Sequence, residues 1–279
     1  VNSGNIQNQG VEATIGFIPV ETKDFVWRSS INLSHNSNKV ISLHDEIPEF
    51  SINRGENFGY ELKLVEGGSY GDVYGRKFAR DDNGKLLLDE SGLPYKAGTT
   101  LDYMGNTQAK LHAGWNNTLQ YRNISLSFLI DARFGGKVMA LTQSDIDIYG
   151  TSLATAQARD KGYVEFEGHK FTDVKGFYER VGGFGGISEY YCLDGTNVRL
   201  RELSLGYTIP KKWLGNGKLF EDITVSFIGR NLFFFYKNNF LCYLNFFFIT
   251  SKNFFNHFFL MLSIMFFSFF GIQTVCFSS

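Results

Sequence analysis

The sequence predicts an all-β protein, and more narrowly a fragment of an antiparallel transmembrane β-barrel with long extracellular loops. Three observations support this fold class. Apolar and polar residues alternate within residues 11–239 with the period of two that is typical of a β-strand. The alternating runs are about ten residues long, which is enough to cross a bilayer at a tilt. Short and very long connections alternate between the runs, as in outer-membrane barrels.

Six alternating runs account for the predicted strands. In the clearest run, residues 124–134, every even-numbered position is apolar, whereas Asp131 and Arg133 occupy the opposite face. Because a lysine or arginine facing lipid costs about 2–4 kcal/mol at the bilayer midplane, an uncharged outer face is expected. The six runs comprise residues 11–17, 25–33, 111–121, 124–134, 198–209 and 223–233.

The connections between these runs differ strongly in length. Those at residues 19–24, 121–123 and 211–218 are short, whereas residues 42–108 and 135–196 form very long connections. Short turns at one rim and long loops at the other are typical of an outer-membrane barrel. A soluble β-sandwich or barrel also alternates and stays open as the alternative.

Composition excludes several other classes of protein. The 279 residues have a formal net charge of −1 and are 43% apolar and 16% aromatic, which argues against a disordered chain or a coiled coil. The near-zero charge argues against a nucleic-acid binder. Three cysteines imply no disulfide framework. The chain begins at Val1 without signal-peptide features, so we expect further residues to precede it.

Residues 240–279 differ from the rest of the sequence. They contain 13 of the 29 phenylalanines and one charged residue, Lys252, without a regular alternation. Residues 253–279 are uncharged and long enough to span a bilayer as a helix. Three interpretations are open: a transmembrane helix, an unusual extracellular or luminal segment, and a frameshifted or misread end. The third is favoured, and the predicted domains are a barrel portion at residues 1–239 and a Phe-rich, non-native tail at 240–279.

Aromatic side chains in the two long connections are the candidate contacts for a substrate or partner. Exposed aromatic rings could stack on a sugar ring or a peptide. The alternative, favoured for any single residue, is that these rings form the small core of each loop. The candidates are Tyr70, Tyr74, Tyr95 and Tyr103 in the first connection and Tyr149, Tyr190 and Tyr191 in the second.

Two polar motifs in the long connections predict turns and not ligand sites. The acidic residues of 81–85 and 89–92 are spaced loosely like a calcium loop, but the full twelve-residue pattern is absent. Asn83-Gly84 instead predicts a hairpin with a type I′ turn. The glycine-rich residues 182–186 lack the lysine and hydroxyl residue of a phosphate-binding loop, so they predict a flexible loop.

The remaining motifs give no indication of catalysis. Residues 144–158 predict one short helix with Ser144 or Asp145 near its N-cap. The histidines show no metal-binding spacing, and no nucleophile, base and orienting group occur in a recognisable arrangement. The expectation is therefore a protein that is not an enzyme and that has no cofactor or metal site.

Seven short segments, taken in order, carry a family resemblance over about residues 1–239. They are 10–12 (GVE), 23–27 (KDFVW), 36–40 (NSNKV), 71–75 (GDVYG), 125–136 (SLSFLIDARFGG), 200–210 (LRELSLGYTIP) and 229–232 (GRNL). Their order and spacing resemble the C-terminal part of the SusC/RagA family of TonB-linked outer-membrane proteins. After Asn239 the family would continue with an Asp-Pro-Glu-like element and a last strand ending in an aromatic residue, and this sequence has neither.

The resemblance implies a fold and a function beyond the residues themselves. It implies part of a 22-stranded TonB-dependent transporter barrel with an N-terminal plug, in the outer membrane of Gram-negative, Bacteroidetes-type bacteria. It implies import of oligosaccharides or peptides with a SusD-like surface lipoprotein, and contact with the TonB complex through a missing N-terminal part. Alone, such a fragment is expected to be non-functional. The alternative is a soluble carbohydrate-binding β-module with a hydrophobic C-terminal anchor.

Overall fold

A computed structural model describes residues 4–44, 47–55, 59–213, 223–237 and 246–252. These residues form mostly antiparallel β-sheet, so the predicted all-β class is confirmed. The first strands and helix are β1 (Gly4–Glu21), β2 (Phe25–Leu43), β3 (Glu49–Gly55), β4 (Tyr60–Val65), β5 (Asp72–Gly75), β6 (Asp102–Asn106), β7 (Leu111–Tyr121), β8 (Ile124–Phe134), β9 (Lys137–Met139) and α1 (Leu141–Ile148). They are followed by α2 (Leu153–Lys161), β10 (Val164–Phe166), β11 (His169–Phe171), α3 (Val174–Val181), β12 (Cys192–Asp194), β13 (Asn197–Thr208), β14 (Thr224–Lys237) and β15 (Phe246–Lys252).

The chain divides into two compact units. The strand unit comprises residues 13–33, 113–132 and 197–279, and the loop unit comprises residues 1–12, 34–112 and 133–196. The strand unit contains most of the predicted long strands, whereas the loop unit contains the two long connections.

The long strands form one seven-stranded sheet in the order β1-β2-β7-β8-β13-β14-β15. All six predicted strands are present. Strands β1 and β2 have 18 and 19 residues and extend well beyond the alternating runs that predicted them. The additional residues of β1 are mostly polar, so the backbone continues to pair where the apolar alternation has stopped.

The register of β13 with β14 separates an apolar face from a polar one. Leu205 lies opposite Phe227 and Tyr207 lies opposite Val225, whereas Thr208 lies opposite Thr224. The apolar members are exposed, with 50% of Leu205 and 58% of Phe227 accessible. On the polar face, Glu202 accepts from the Arg230 guanidinium at 3.0 Å. The uncharged outer face expected from the alternation is therefore present on these two strands.

The long connections are folded. Strands β3 to β6 form a four-stranded sheet, and three helices lie in the second connection. A core of buried side chains stabilises this part of the loop unit, which fits the interpretation that loop aromatics form a local core. Its buried members are Phe78, Leu86, Leu93, Ala158, Val164, Phe171, Val174, Phe177, Tyr178, Val181, Ile187 and Tyr191.

The helix predicted at residues 144–158 is wrong in its extent and its start. Two helices, α1 and α2, occupy this region, and the chain turns between them at Gly150, whose φ is +66°. Ser144 and Asp145 lie inside α1 and do not cap it. The side chain that caps a helix here is Ser152, which accepts from the Thr155 amide at the start of α2.

The acidic segment at residues 81–85 is a hairpin, as predicted, but its turn type is different. A type I′ turn requires a positive φ at Asn83, and only Gly84 has one, at +78°. The Gly84 amide donates to the Asp81 carbonyl, and Asp81 Oδ1 accepts from the amides of Asn83 and Lys85 at 2.9 and 2.8 Å. The carboxylate therefore binds its own turn. The hairpin has a type I turn followed by a left-handed glycine.

The glycine-rich residues 182–186, predicted as a flexible loop, form a close-packed turn after α3. The Gly182 amide donates to the Tyr178 carbonyl, and the Gly183 amide donates to Ser144 Oγ at 2.9 Å. A Cβ atom on Gly186 would lie 2.4 Å from the carbonyl oxygens of Val181 and Gly182. The turn therefore requires glycine because its backbone segments approach each other closely.

Among the described residues, no helix has both the length and the apolar character needed to cross a membrane. Residues 253–279, on which the three interpretations of the tail depend, lie outside the described residues. Strand β15 pairs antiparallel with β14 through Thr224 opposite Lys252 to Arg230 opposite Phe246.

Candidate substrate-contact site

The four-stranded sheet of the loop unit brings two of the predicted tyrosines together. Tyr74 of β5 lies directly opposite Tyr103 of β6. Their ring centroids are 5.7 Å apart with an interplanar angle of 66°, an edge-to-face arrangement that aromatic pairs favour. The Lys63 ammonium lies 5.8 Å from the centroid of the Tyr74 ring and is paired with Glu49 at 3.0 Å. Tyr103 is 49% exposed and presents the more accessible ring.

The two tyrosines line a cleft of about 530 Å³. The other lining residues come from β1, from β2 and from the turn before β5, so segments distant in sequence meet there. They are Gln7, Gln9, Ser37, Asn38, Lys39, Gly67, Gly68, Ser69 and Asp72. Concave sites lined by aromatic rings and a few polar groups are the usual binding places for small ligands.

Asn38 holds one wall of the cleft in place. Its Oδ1 accepts from Ser69 Oγ at 2.6 Å and from the Tyr70 amide at 2.5 Å, and its Nδ2 donates to Gln108 Oε1 at 2.6 Å. Asn38 is 8% exposed, so its amide has exchanged water for these partners. An unsatisfied buried amide would be costly, and the three bonds avoid this.

Asp72 stabilises the turn at the opposite side of the same wall. Its Oδ2 accepts from the Ser69 amide at 2.7 Å, and its Oδ1 accepts from Asn106 Nδ2 at 2.7 Å. Asp72 is 4% exposed. The side chains of Asn38 and Asp72 therefore form the framework of the cleft through their bonds to neighbouring residues.

Burial affects the ionisation of the two tyrosines in the cleft. Partial burial raises the pKa of Tyr74 and of Tyr103 above the ordinary value of 10.0, and the Asp72 carboxylate adds to the effect. Both phenols are therefore neutral at physiological pH. Each can donate one hydrogen bond and accept others.

A second cleft of about 470 Å³ adjoins the first. The two share Ser37, Asn38, Ser69 and Tyr103, so Tyr103 stands at their border. The second cleft adds more charged side chains, among them Lys110, Lys137 and Asp194.

The remaining predicted tyrosines lie elsewhere in the loop unit. Tyr70 is 47% exposed and contacts the framework only through its backbone. Tyr95 is half-buried in the hairpin that follows β5, where its carbonyl accepts from the Ala79 amide. Tyr149 is 79% exposed and follows α1 directly.

Tyr190 and Tyr191 belong to the loop core. Tyr190 packs against Phe166 and Phe177 with centroid distances of 5.3 and 5.5 Å. Tyr191 is 3% exposed, and its hydroxyl donates to Asp147 Oδ2 at 3.0 Å. These two side chains fit the core alternative that the sequence left open for each loop aromatic.

Several residues of the cleft carried no signal in the sequence analysis. Gln7 and Gln9 lie in a polar segment of β1 that predicted only a loop leading into a strand. Asn38 and Asp72 fell within two segments of the family resemblance, which marked them without indicating a role. Grouping of these residues requires the pairing of β5 with β6, which joins positions almost thirty residues apart.

No family model matches the chain. Curated relatives include the TonB-dependent receptors P39 and P3 of Formosa agariphila, 37% and 27% identical over 84% and 83% of this chain. SusC of Bacteroides thetaiotaomicron, also a TonB-dependent receptor, is 24% identical over 76% of the chain. These matches cover 27%, 24% and 21% of the relatives, so the chain spans about a quarter of their length.

Solved structures show the same fold. One chain of a RagAB peptide transporter structure matches with a TM-score of 0.59 at 16% identity, covering 85% of this chain and 26% of that one. The RagAB peptide importer in its open-open state matches with a TM-score of 0.57 at 13% identity, covering 84% of this chain and 26% of that one. The predicted resemblance to the SusC/RagA family of TonB-linked outer-membrane proteins is thereby confirmed.

Proposed function

We propose that this chain is part of a TonB-dependent outer-membrane transporter that imports oligosaccharides or peptides. The observation that carries the proposal is the similarity to TonB-dependent receptors over 83–84% of the chain, together with the shared fold. The matched relatives are named as receptors and transporters and not as enzymes.

The exposed apolar face of the strand unit supports a membrane location. Phe17 of β1, Leu205 of β13 and Phe227 of β14 are between 45% and 58% exposed. Large exposed apolar surfaces are rare on soluble monomers and are expected where a strand faces lipid. The proposed location is the outer membrane of a Gram-negative bacterium of the Bacteroidetes type.

The proposed partners follow from the resemblance. A SusD-like surface lipoprotein would cover the long connections, and the TonB complex would act through residues outside this chain. Outer-membrane lipid would contact the apolar face. The loop tyrosines 70, 74, 95, 103, 149, 190 and 191 stay candidate contacts for the substrate or the lipoprotein, with Tyr74 and Tyr103 best placed because they share a cleft.

Cell fractionation tests the membrane location. We expect the complete chain to sediment with membranes and to require detergent for solution as a single species, because its apolar strand face would otherwise associate. A chain that stays monomeric in detergent-free buffer would contradict the proposal and support the soluble carbohydrate-binding module.

This chain alone is proposed not to transport. All 18 residues of β1 are exposed, and an open sheet edge in lipid leaves backbone groups without partners. We expect no channel conductance when the purified chain is added to planar lipid bilayers. Reproducible single-channel steps would refute this.

The Phe-rich residues 240–279 are proposed to arise from a shifted reading frame. The support is their composition, which differs from residues 1–239. Resequencing the gene across the codons for Asn239 and Phe240 tests this. A frame that continues with an Asp-Pro-Glu-like element and an aromatic-ended strand would support the proposal, and an intact present frame would end it.

A further inference from the structure

The cleft lined by Tyr74 and Tyr103 contains polar side chains that are free for a ligand. The framework residues Asn38, Ser69 and Asp72 already bond to neighbours in the loop unit. Other lining side chains form no hydrogen bond or ion pair with any described residue, and these are Gln7, Gln9, Ser37 and Lys39. A ligand can therefore bind this second set without breaking a bond within the protein.

Tyr103 provides an aromatic surface at the border of the two clefts. Its ring is 49% exposed, and the edge-to-face contact with Tyr74 restrains its orientation. An aromatic ring that is half-exposed and restrained offers a large contact area at a small cost in side-chain entropy. The flat ring matches the apolar face of a pyranose, whose axial C–H groups point to one side.

The charges of the cleft favour a neutral ligand. Of its lining residues, Lys39 and Asp72 are charged and have opposite signs, and Asp72 is already bonded. The free groups are two carboxamides, a hydroxyl and two neutral phenols in addition to Lys39. Carboxamides both donate and accept, as sugar hydroxyls do, whereas a peptide with ionised termini would find one free cation and no free anion.

We propose that this cleft binds a neutral oligosaccharide, with one pyranose ring stacked on Tyr103 and its hydroxyls bonded to Gln7, Gln9 and Ser37. The proposal narrows the substrate class of the transporter proposed above and rests on that function. The adjoining cleft shares Tyr103, so a second ring of the same oligosaccharide can continue into it.

Ligand titration of the complete chain in detergent micelles tests the proposal. Saturation-transfer NMR and calorimetry would use maltohexaose, cellohexaose, mannohexaose and xylohexaose as probes, with a tryptic digest of casein as the peptide probe. We expect at least one of the four oligosaccharides to bind, with transfer to the protons of one face of a ring. We expect no binding of the peptides.

Three variants separate stacking from a general loss of structure. Tyr103→Ala should weaken oligosaccharide binding by about tenfold or more, whereas Tyr103→Phe, which keeps the ring, should stay within about threefold of the parent. Tyr121→Ala is the matched control, because Tyr121 is 50% exposed but lies in β7 at the short-turn end of the strand unit. Circular dichroism of each variant verifies that the sheet is retained.

Two results would overturn the proposal. One is that none of the four oligosaccharides binds at concentrations up to about 10 mM, or that the peptides bind instead. The other is that Tyr103→Ala and Tyr121→Ala lose binding equally. Failure of the transporter proposal is scored separately, because a monomeric chain in detergent-free buffer would contradict that proposal whether or not a sugar binds.

Discussion

Asp147 is a carboxyl group buried within the loop unit. It is 1% exposed, and it accepts from Gln143 Nε2 at 2.6 Å and from the Tyr191 hydroxyl at 3.0 Å. Desolvation raises its pKa above the ordinary value of 3.8, although these hydrogen bonds oppose the shift. Burial therefore outweighs hydrogen bonding at this residue, and ionisation of Asp147 destabilises the folded loop.

The first prediction concerns the pH dependence of this loop. Because the pKa of Asp147 is higher in the folded than in the unfolded state, its contribution to stability is present below the unfolded pKa. The contribution is lost as the pH rises through the folded value. We expect Asp147→Asn to remove this loss, so that the melting temperatures at pH 4 and pH 7 differ less than in the parent.

Asp145→Asn is the control for Asp147→Asn. Asp145 lies in the same helix but is exposed, so its substitution should leave the pH dependence of melting unchanged. Equal changes in the two variants would show that Asp147 is not the responsible group.

Asn231 adopts an unusual backbone conformation in a strand. Its φ is +51°, and Asn231 and Leu232 together lie opposite Arg201 of β13, because Arg230 pairs with Glu202 and Phe233 with Leu200. One extra residue on β14 forms a β-bulge. Asparagine tolerates the left-handed region better than most residues, which explains its place in the GRNL segment.

The second prediction tests this bulge. Asn231→Val should lower the free energy of unfolding by about 1–2 kcal/mol, because a β-branched residue is strained at positive φ. Asn231→Gly should be neutral within about 0.5 kcal/mol, since glycine adopts this conformation freely. Urea unfolding in detergent micelles measures both values. Equal stability of the two variants would contradict the bulge geometry.

At the scale of elements, Arg80 connects three parts of the loop unit. Its guanidinium donates to both carboxylate oxygens of Glu167 at 2.6 and 2.7 Å and lies 3.4 Å from Glu189 Oε1. Glu167 is in the turn between β10 and β11, and Glu189 also accepts from the Phe78 amide at 2.7 Å. One cation therefore joins the hairpin after β5 to two segments of the second connection.

The third prediction concerns this junction. Arg80→Gln should destabilise the hairpin after β5 by about 1–2 kcal/mol, because bidentate bonds to charged groups are lost and two carboxylates remain side by side. Arg180→Gln is the matched control. Arg180 pairs only with Asp89 and is 44% exposed, so its loss should cost below about 1 kcal/mol. Hydrogen exchange of the amides between residues 78 and 97 reports the difference, and equal exchange in both variants would refute the role of Arg80.

At the scale of the whole molecule, the apolar and polar faces of the long strands decide where the chain resides. Phe227 and Ser226 are neighbours on β14, but they point to opposite faces, with Leu205 opposite the first and Gly206 opposite the second. An arginine at an apolar, lipid-facing position costs far more than one on the polar face.

The fourth prediction uses these two neighbouring positions. Phe227→Arg should weaken partition of the chain into phosphatidylcholine vesicles by about 2–4 kcal/mol, whereas Ser226→Arg should change it by less than about 1 kcal/mol. Vesicle flotation measures the bound fraction. Equal losses would mean that the apolar face does not contact lipid.

Period-two alternation predicted the long strands because it is a local property of the chain. Successive side chains of a strand point to opposite sides, so one lipid-facing side leaves a visible pattern. The same pattern was silent about β5, β9 and β12, which have four, three and three residues. Such short strands contain too few residues to show a period, so the folded interior of the long connections was not predicted.

The candidate site could be predicted only in part. Tyr74, Tyr103, Tyr149 and Tyr191 were equivalent as loop tyrosines, yet the structure places two in one cleft, one on the surface and one in the core. Tyr191 follows Tyr190 directly and differs from Tyr149 only in its tertiary surroundings. No local signal distinguishes these environments, because burial depends on which distant segments pack against a side chain.

The sequence by itself determined that the chain is built from long alternating strands joined by unequal connections, and that its segments resemble those of the SusC/RagA family. Only the tertiary structure decided which loop residues meet. Alternation and turns depend on neighbours along the chain, whereas the cleft depends on the pairing of β5 with β6 and on the approach of β1 and β2. Those contacts join residues up to about one hundred positions apart, and their geometry depends on the folded path of the backbone.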